Sequence, residues 1–374
     1  MQHSTIFIRT CLVCLLSTAL SSFAQQSIVL PPSGGNQISE VSQYLGLVKV
    51  TVTYSSPDVA GREGGIWGKV VPYGTTDFKN TQGYGTATAA PWRAGANENT
   101  IITFSHDVLV EGKDLAAGSY GFHILPLENE AWEMIFSEET TGWGSYYYEE
   151  ENDVLRVEVS PKEAPFHEYL TYEFTERKLD TAVLALFWEN KAIPLTISVP
   201  NAMELYIAKM KDDLQGSAGF TWQGFNTAAT FCLQNDIALT QGLAWAEQSV
   251  SQPFIGEANF TTLSTKAMLE IKNGEKEASA KTLAMTLAEK ATPVQLYQMG
   301  NGLLSMEEVD LAVQTFNALS EKFPDNWLSH LGVGAGQKAK GEMQKARDSY
   351  KKALETAPAG YKGFIQSNID SLEG

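Results

Sequence analysis

The sequence contains little cysteine, little positive charge and no long apolar run that could cross a membrane. Only 3 of its 374 residues are cysteines, and two of these lie within the first 24 residues. Cys232 alone cannot form a disulfide within the chain, so stability must come from packing. Asp and Glu number 44 against 27 Lys and Arg, a formal net charge of −17. This balance argues against a nucleic-acid partner or an anionic membrane surface, and no stretch reaches the roughly 20 apolar residues of a membrane span.

The sequence also lacks the common catalytic motifs. It has no phosphate-binding loop, no glycine-rich dinucleotide turn and no nucleophile elbow. His167-Glu168 begins a zinc-protease string, but Thr171 stands where the second histidine is required. We therefore expect no cofactor and no metal site, assign no reaction or catalytic residue, and favour binding over catalysis.

Residues 1–24 have the pattern of a cleaved signal peptide. Arg9 precedes an apolar stretch, and Ser22-Phe23-Ala24 is a small-residue cleavage site. Cys14 follows Leu12-Val13 and lacks the small residue expected before a lipidated cysteine. The sequence thus predicts export to the periplasm or the medium, with cleavage after Ala24.

Residues 25–200 have the period of β-strands. Val48, Val50, Val52 and Tyr54 alternate with polar residues, as in a half-buried strand. Further short runs of this type continue to Val199, separated by turn residues. This spacing predicts an antiparallel β-sandwich.

Residues 201–374 have the period of helices and an internal repeat. Four alanines stand 34 residues apart, and the same step relates two glycines and an aromatic pair; these residues are Ala244, Ala278, Ala312, Ala346, Gly300, Gly334, Phe316 and Tyr350. A 34-residue period with small residues at helix crossings is typical of tetratricopeptide-like arrays. The fold class is therefore β plus α in two domains, and the array predicts a protein partner.

Several strings of the strand domain resemble one bacterial family. They include Ser56 to Arg62, Trp67-Gly68, Val71 to Gly74 and Trp92 to Glu98. Together they are similar to domain of unknown function 2911, over roughly residues 36–200. The resemblance implies an exported protein and no assigned activity. Relative to the family pattern, the segment from Thr75 to Ala90 is an insertion, and Gly64-Gly65 resembles a second one.

The same strings supply the candidate ligand-binding residues. Two arginines lie beside glycine turns, and a guanidinium offers five fixed donors to a carboxylate or phosphate. The candidates are Arg62, Trp67, Tyr73, Trp92, Arg93, Asn97 and Glu98. A structural interpretation stays open, in which Arg93 pairs with Glu98 or another carboxylate to fix a turn while Trp92 fills the core. We interpret the acidic run from Glu149 to Asp153 as a solvated turn and Cys232 as a buried, inert thiol.

The sequence thus predicts an exported binding protein with a site in its sandwich and a docking surface on its helices. The ligand would be a small anion or a carbohydrate. Two alternatives are kept. A carbohydrate-binding module would show a line of exposed aromatics on one sheet face, and a hydrolase of unrecognised type would bring Arg93, Glu98 and a histidine into one cleft.

Overall fold

The computed structural model describes residues 36–78 and 85–372, which fall into two compact units. The first holds residues 36–44 and 49–198, and the second holds residues 199–372 together with 45–48. The predicted signal peptide and its cleavage site lie outside the described residues.

Six strands of the first unit form one sheet in the order β1-β2-β5-β8-β9-β10. Pairing is antiparallel between β2 and β5, β5 and β8, β8 and β9, and β9 and β10. The strands of this sheet are β1 Gln37–Leu45, β2 Val48–Ser56, β5 Ala96–Phe104, β8 Gly118–Leu125, β9 Trp132–Ser137 and β10 Asp153–Val159.

A second sheet has the order β11-β12-β6-β7, and two strands of two residues each, β3 and β4, pair with one another. All three pairings of the second sheet are antiparallel. These strands are β3 Thr76–Asp77, β4 Ala89–Ala90, β6 Val108–Val110, β7 Lys113–Leu115, β11 Lys162–Arg177 and β12 Thr181–Ser198. The β3–β4 pair belongs to the segment from Thr75 to Ala90 that the sequence marks as an insertion.

The two sheets meet at Tyr172 of β11. Its ring lies 4.7 Å from that of Tyr54 on β2 and 6.4 Å from that of Phe122 on β8. Its hydroxyl donates to the carbonyl of Ala94 at 2.8 Å, and its backbone N–H donates to the Tyr54 hydroxyl at 3.2 Å. The buried hydroxyls are therefore satisfied across the core, and the predicted antiparallel β-sandwich is confirmed.

The second unit consists of helices over its described length. Consecutive helices pack in pairs, α2 with α3, α4 with α5, α6 with α7 and α8 with α9. Their bounds are α1 Ala202–Asp213, α2 Trp222–Asn235, α3 Leu239–Ser251, α4 Phe260–Lys272, α5 Lys276–Ala288, α6 Pro293–Ser305, α7 Val309–Lys322, α8 Trp327–Ala339, α9 Met343–Thr356 and α10 Ala359–Asp370. The predicted tetratricopeptide-like array is confirmed as a fold.

The repeat period has a steric basis in the last two pairs. A Cβ added to Gly300 would lie 2.3 Å from the ring of Phe316, and one added to Gly334 would lie 2.5 Å from the ring of Tyr350. Only a residue without a side chain allows the two helices of each pair to approach so closely. The 34-residue step therefore repeats one contact, a glycine against an aromatic ring.

The first pair departs from this register. Ala312 and Ala346 are fully buried, but Ala244 is exposed and Ala278 is half-buried. The buried small residues of α3 are Gly242 and Ala246 instead. The eight residues between α3 and α4 form a longer connection than those that join the later helix pairs. The expectation that all four alanines mark close helix crossings is wrong for Ala244.

No helix in the described part of the chain is long and apolar enough to cross a bilayer. Cys232 is fully buried in α2. Burial raises the pKa of its thiol to about 11, so this thiol stays protonated and unreactive at neutral pH.

Candidate functional site

A cavity of 560 Å³ opens in the strand unit, and four of the seven predicted site residues line it. These four are Arg62, Trp92, Arg93 and Asn97. Trp67, Tyr73 and Glu98 are not part of its lining. Its volume falls in the range of small-molecule sites, so the two predicted motifs do meet at one concave place.

Arg93 is the half-buried cation of this cavity. One guanidinium N–H donates to the carbonyl of Asn97 at 2.6 Å, and the group lies 5.6 Å from the ring centre of Tyr146. The backbone at Gly144 passes so close that a Cβ there would lie 2.3 Å from the Arg93 Nη1. Among the described residues Arg93 makes no ion pair, so the expected pairing with Glu98 is not seen. Arg93 instead ties down the turn before β5 through a carbonyl.

Asn97 and Glu98 are the second and third residues of β5 and have different surroundings. Asn97 adopts a left-handed backbone with φ of 55°, and its Oδ1 accepts from Asn36 at 3.1 Å. Its Nδ2 is buried and has no hydrogen-bond partner among the described residues. The carboxylate of Glu98 accepts from the Ser55 hydroxyl at 2.9 Å. Asn97 therefore keeps a free donor at the cavity, whereas Glu98 is occupied by the neighbouring strand.

Arg62 bonds mainly to its own turn. Its Nε donates to the carbonyl of Val59 at 2.8 Å, and its Nη2 donates to the carbonyl of Asp58 at 2.7 Å. An ion pair of 3.6 Å with the Asp58 carboxylate is exposed on both sides. Exposed ion pairs of this kind contribute little to stability. Arg62 therefore adds positive charge to the cavity, but its described hydrogen bonds occupy its donors within its own turn.

The candidate aromatic residues divide between core and surface. Trp67, Trp92, Trp132 and Trp188 pack into one cluster, with ring centres 5.0 to 5.9 Å apart. Trp92 donates its indole N–H to the carbonyl of Gly95 at 3.1 Å, whereas the indole N–H groups of Trp67 and Trp188 are buried without a partner. Tyr73 is partly exposed and lies against Gly68. Of the two unpartnered indoles, only that of Trp188 belongs to the cavity wall.

The candidate residues predicted from the sequence do not include Trp188, Ser145 or Tyr146, which also line this cavity. Trp188 sits in the strand alternation of β12, where any aromatic residue is expected to fill the core. Ser145 and Tyr146 lie in a loop after β9 that no periodicity marks. Only the three-dimensional approach of this loop to Arg93 reveals them.

His123 lies behind the cavity and not in its lining. Its Nδ1 is 3.2 Å from the hydroxyl of Ser145, and its ring stacks edge-on against Tyr148 at 5.1 Å. Burial, helped by the charge of Arg93, lowers the pKa of this imidazole to about 3. His123 is therefore neutral at physiological pH.

A second cavity of 410 Å³ has Arg156 in its wall. This arginine pairs with Asp153 at 2.8 Å and with Glu133 at 3.0 Å, and its Nη2 donates to the Tyr148 hydroxyl at 2.8 Å. The Asp153 side chain is only 6% exposed. The interpretation of the acidic run as a solvated turn is therefore wrong for Asp153. In the described ranges no three His, Cys, Asp or Glu side chains converge as a metal ion would require.

The helical unit has its own concave surface. Residues of α2, α4 and α6, the first helices of three successive pairs, line a groove of 610 Å³. Lys272 supplies its only formal charge and pairs with Asp236 at 2.8 Å. Glutamine, serine, threonine and methionine make up most of the remaining wall. Stacked helix pairs form extended protein-interaction surfaces, and this array has that form.

The comparisons with known proteins address the two units separately. Residues 36–197 match the family model described as "Protein of unknown function (DUF2911)". No curated protein is detectably similar to the chain.

Solved structures similar to this chain include MamA and a tetratricopeptide repeat protein. The structure of MamA is 17% identical over 40% of this chain and 85% of MamA, with a TM-score of 0.30. A tetratricopeptide repeat protein from Parabacteroides merdae is 16% identical over 44% of this chain and 64% of its own, with a TM-score of 0.33. The resemblance read from the strand motifs is confirmed by the family model: residues 36–197 are a match to the DUF2911 family.

Proposed function

We propose that this is an exported binding protein, with a helical array that docks a protein partner and a strand unit that holds a small ligand. The observation that carries the proposal is the groove of the array, lined by three successive first helices and nearly uncharged. A surface of this kind suits an extended peptide segment or a partner helix. The acidic balance of the chain disfavours nucleic acid as the partner.

The test of docking is to obstruct the groove and measure capture. Thr261 and Gln298 are exposed residues of its wall. A Thr261→Arg/Gln298→Arg variant should lose the partners that wild-type protein retains from an extract of its own cells. The matched control is Gln314→Arg/Asn317→Arg on α7, which places the same charge at exposed sites outside the groove. Equal capture by both variants would place docking elsewhere.

Export is tested at the mature N-terminus. Arg9, the apolar stretch and Ser22-Phe23-Ala24 support cleavage after Ala24. Mass spectrometry of the mature protein should show Gln25 as its first residue. A chain that keeps Met1, or one lipidated at Cys14, would contradict this part of the proposal.

The small-ligand part of the proposal is supported by the cavity around Arg93. A half-buried guanidinium without a carboxylate partner, next to unpartnered donors, suits a ligand that accepts hydrogen bonds. Carbohydrate binding has weaker support, because the exposed aromatics occupy different elements. Tyr44 is on β1, Phe166 and Tyr169 are on β11, and Trp143 is in a loop.

A hydrolase is the second candidate, favoured by the contact between Ser145 and His123. Two observations weigh against it. A general base works best with a pKa near the working pH, whereas burial lowers the pKa of His123 to about 3. Glu98, the expected third member, bonds to Ser55 instead. Release of p-nitrophenol from p-nitrophenyl acetate, lost in a Ser145→Ala variant, would revive the hydrolase.

A further inference from the structure

The cavity of Arg93 combines three side chains that can only donate hydrogen bonds there. These are the Arg93 guanidinium, the Asn97 Nδ2 and the Trp188 indole N–H, which belong to residues that line the cavity. Arg93 has one described hydrogen bond, and the other two groups have none. Trp188 is 2% exposed, so its N–H is shielded from solvent. Buried donors without partners are rare in folded proteins, and two of them in one wall, beside a guanidinium with a single described hydrogen bond, indicate an acceptor supplied from outside the chain.

The formal charge of the wall sets the charge of that acceptor. Arg62 and Arg93 contribute two positive charges and Asp77 one negative charge. The net charge of +1 matches a carboxylate better than a phosphate dianion. A planar carboxylate also fits the forked donors of a guanidinium.

The remaining wall is suited to an apolar body. Trp143 is 44% exposed, and the Tyr146 ring lies 4.8 Å from that of Phe78 and against the Arg93 guanidinium. Rings of this type offer flat surfaces to another ring. Phe78 and Asp77 belong to the insertion between the two motifs, so this chain adds part of the wall itself.

We propose that Arg93, Asn97 and Trp188 bind the carboxylate of a small organic acid whose ring or alkyl body lies against Trp143 and Tyr146. The proposal rests on the small-ligand part of the proposed function and names its ligand class. The same chemistry occurs in a free acid and in the C-terminal carboxylate of a peptide. The test must therefore separate these two sources.

The probe is phenylacetate, titrated into the full mature protein and followed by calorimetry or ligand-detected NMR. A ligand of this size should bind with a dissociation constant on the order of 0.1–1 mM. Phenylacetamide, its neutral isostere, should bind at least about tenfold more weakly, because a hydrogen bond to a charged group is the stronger one. N-acetyl-phenylalanine with a free or an amidated carboxyl group tests the peptide source. Tighter binding of the free form than of phenylacetate would assign the site to chain ends.

Two tryptophan variants separate a ligand donor from a structural residue. Trp188→Phe removes an N–H that has no protein partner, so it should weaken phenylacetate about tenfold, while its loss of ring volume should lower the melting temperature no more than the same change does in the control. Trp132→Phe is the matched control in the same cluster. Its N–H donates to the carbonyl of Leu127 at 2.9 Å, and it does not line the cavity. It should lower the melting temperature and leave the affinity unchanged.

Asn97→Gly is the third variant, since glycine keeps the left-handed backbone and removes only the amide. It should also weaken phenylacetate. Equal affinity for phenylacetate and phenylacetamide would overturn the carboxylate and leave a ligand site of another class. Absence of binding by all probes at about 10 mM would overturn the carboxylate and the small-ligand site together, while docking by the array stands on its own test. Loss of stability in Trp188→Phe with unchanged affinity would make Trp188 structural.

Discussion

The strand unit and the helical unit solve the problem of close packing in opposite ways. The helical unit repeats one device, a glycine against an aromatic ring, at Gly300 with Phe316 and at Gly334 with Tyr350. The strand unit uses contacts that occur once, such as the tryptophan cluster and the Arg93 turn. A repeated contact leaves a period in the sequence, whereas a contact made once leaves none. The helical array can therefore be predicted from the sequence, whereas the arrangement of the candidate site becomes apparent only in the structure.

The largest expected effect comes from the contacts that occur once. Trp132 is 2% exposed and touches Trp67 in the cluster. Trp132→Ala should lower the free energy of unfolding of the strand unit by about 3–5 kcal/mol, because the cavity left behind cannot collapse fully. Hydrogen exchange by mass spectrometry would report the loss in peptides of the strand unit. Trp143→Ala, at an exposed tryptophan, should change stability by less than about 0.5 kcal/mol. An equal loss of unfolding free energy in both variants would mean that the tryptophan cluster does not stabilise the strand unit.

The next largest effect is expected from the repeated contact between a glycine and an aromatic ring. Gly334→Ala places a methyl group against the Tyr350 ring and should cost about 1–3 kcal/mol. The control is Gly363→Ala in α10, where nothing lies within 4 Å. This change should stabilise by about 0.5–1 kcal/mol, because alanine is the better helix former. Thermal unfolding of the two variants should thus shift in opposite directions. A shift in the same direction would mean that the glycine position does not set the helix spacing.

Acid should weaken the strand unit through His123. Its pKa is lowered to about 3 in the folded state, so between about pH 6.5 and 3 only the unfolded state binds the proton. Stability is present above that window and falls by about 1.4 kcal/mol per pH unit within it. Urea unfolding at pH 7 and pH 5.5 would measure the slope. His123→Asn keeps a group for Ser145 and removes the titration, so its stability should be flatter across this interval. An unchanged slope would assign the acid sensitivity to another group.

The helical unit should respond to acid in the opposite sense through Glu270. Its side chain is 3% exposed and lies 3.6 Å from Lys266, and burial raises the pKa of this carboxyl. An acid with a raised pKa stabilises the fold below its unfolded pKa, and that stability is lost as the pH rises through the folded value. Glu270→Gln should therefore raise the stability at pH 7 by about 1 kcal/mol or less.

The effect of Glu270→Gln should vanish at acidic pH, where the native carboxyl is already neutral. Glu247→Gln is the control, because this exposed carboxylate contacts the same lysine at 3.8 Å. It should have no measurable effect on stability. A loss of stability in Glu270→Gln at pH 7 would show that the ion pair outweighs burial.

The same contrast between repeated and single contacts decides which features the sequence predicts. Alternation in β2 and the helical repeat from α6 onward fix both fold classes, because burial on one face imposes a period. The motif around Trp92 and Arg93 predicts residues of the cavity, but the interpretation that Arg93 pairs with a carboxylate fails, because its guanidinium donates to the carbonyl of Asn97. Glu98 stands five positions after Arg93, in β5, and its carboxylate accepts from Ser55 on the neighbouring strand. Trp188 could not be found, since an unpartnered indole and a satisfied one look identical in sequence.

The glycine and aromatic pairs of the array also make its length adjustable. Because Gly300 with Phe316 and Gly334 with Tyr350 repeat one contact at one step, neighbouring pairs present interchangeable surfaces to one another. A copy of residues 300–333 inserted in frame would supply its own glycine and ring and meet the neighbours the original already has. The groove can then be extended by one helix pair while the strand unit keeps its sequence unchanged. Natural variation in the number of pairs among chains of this kind would change the length of the groove and leave the strand unit as it is.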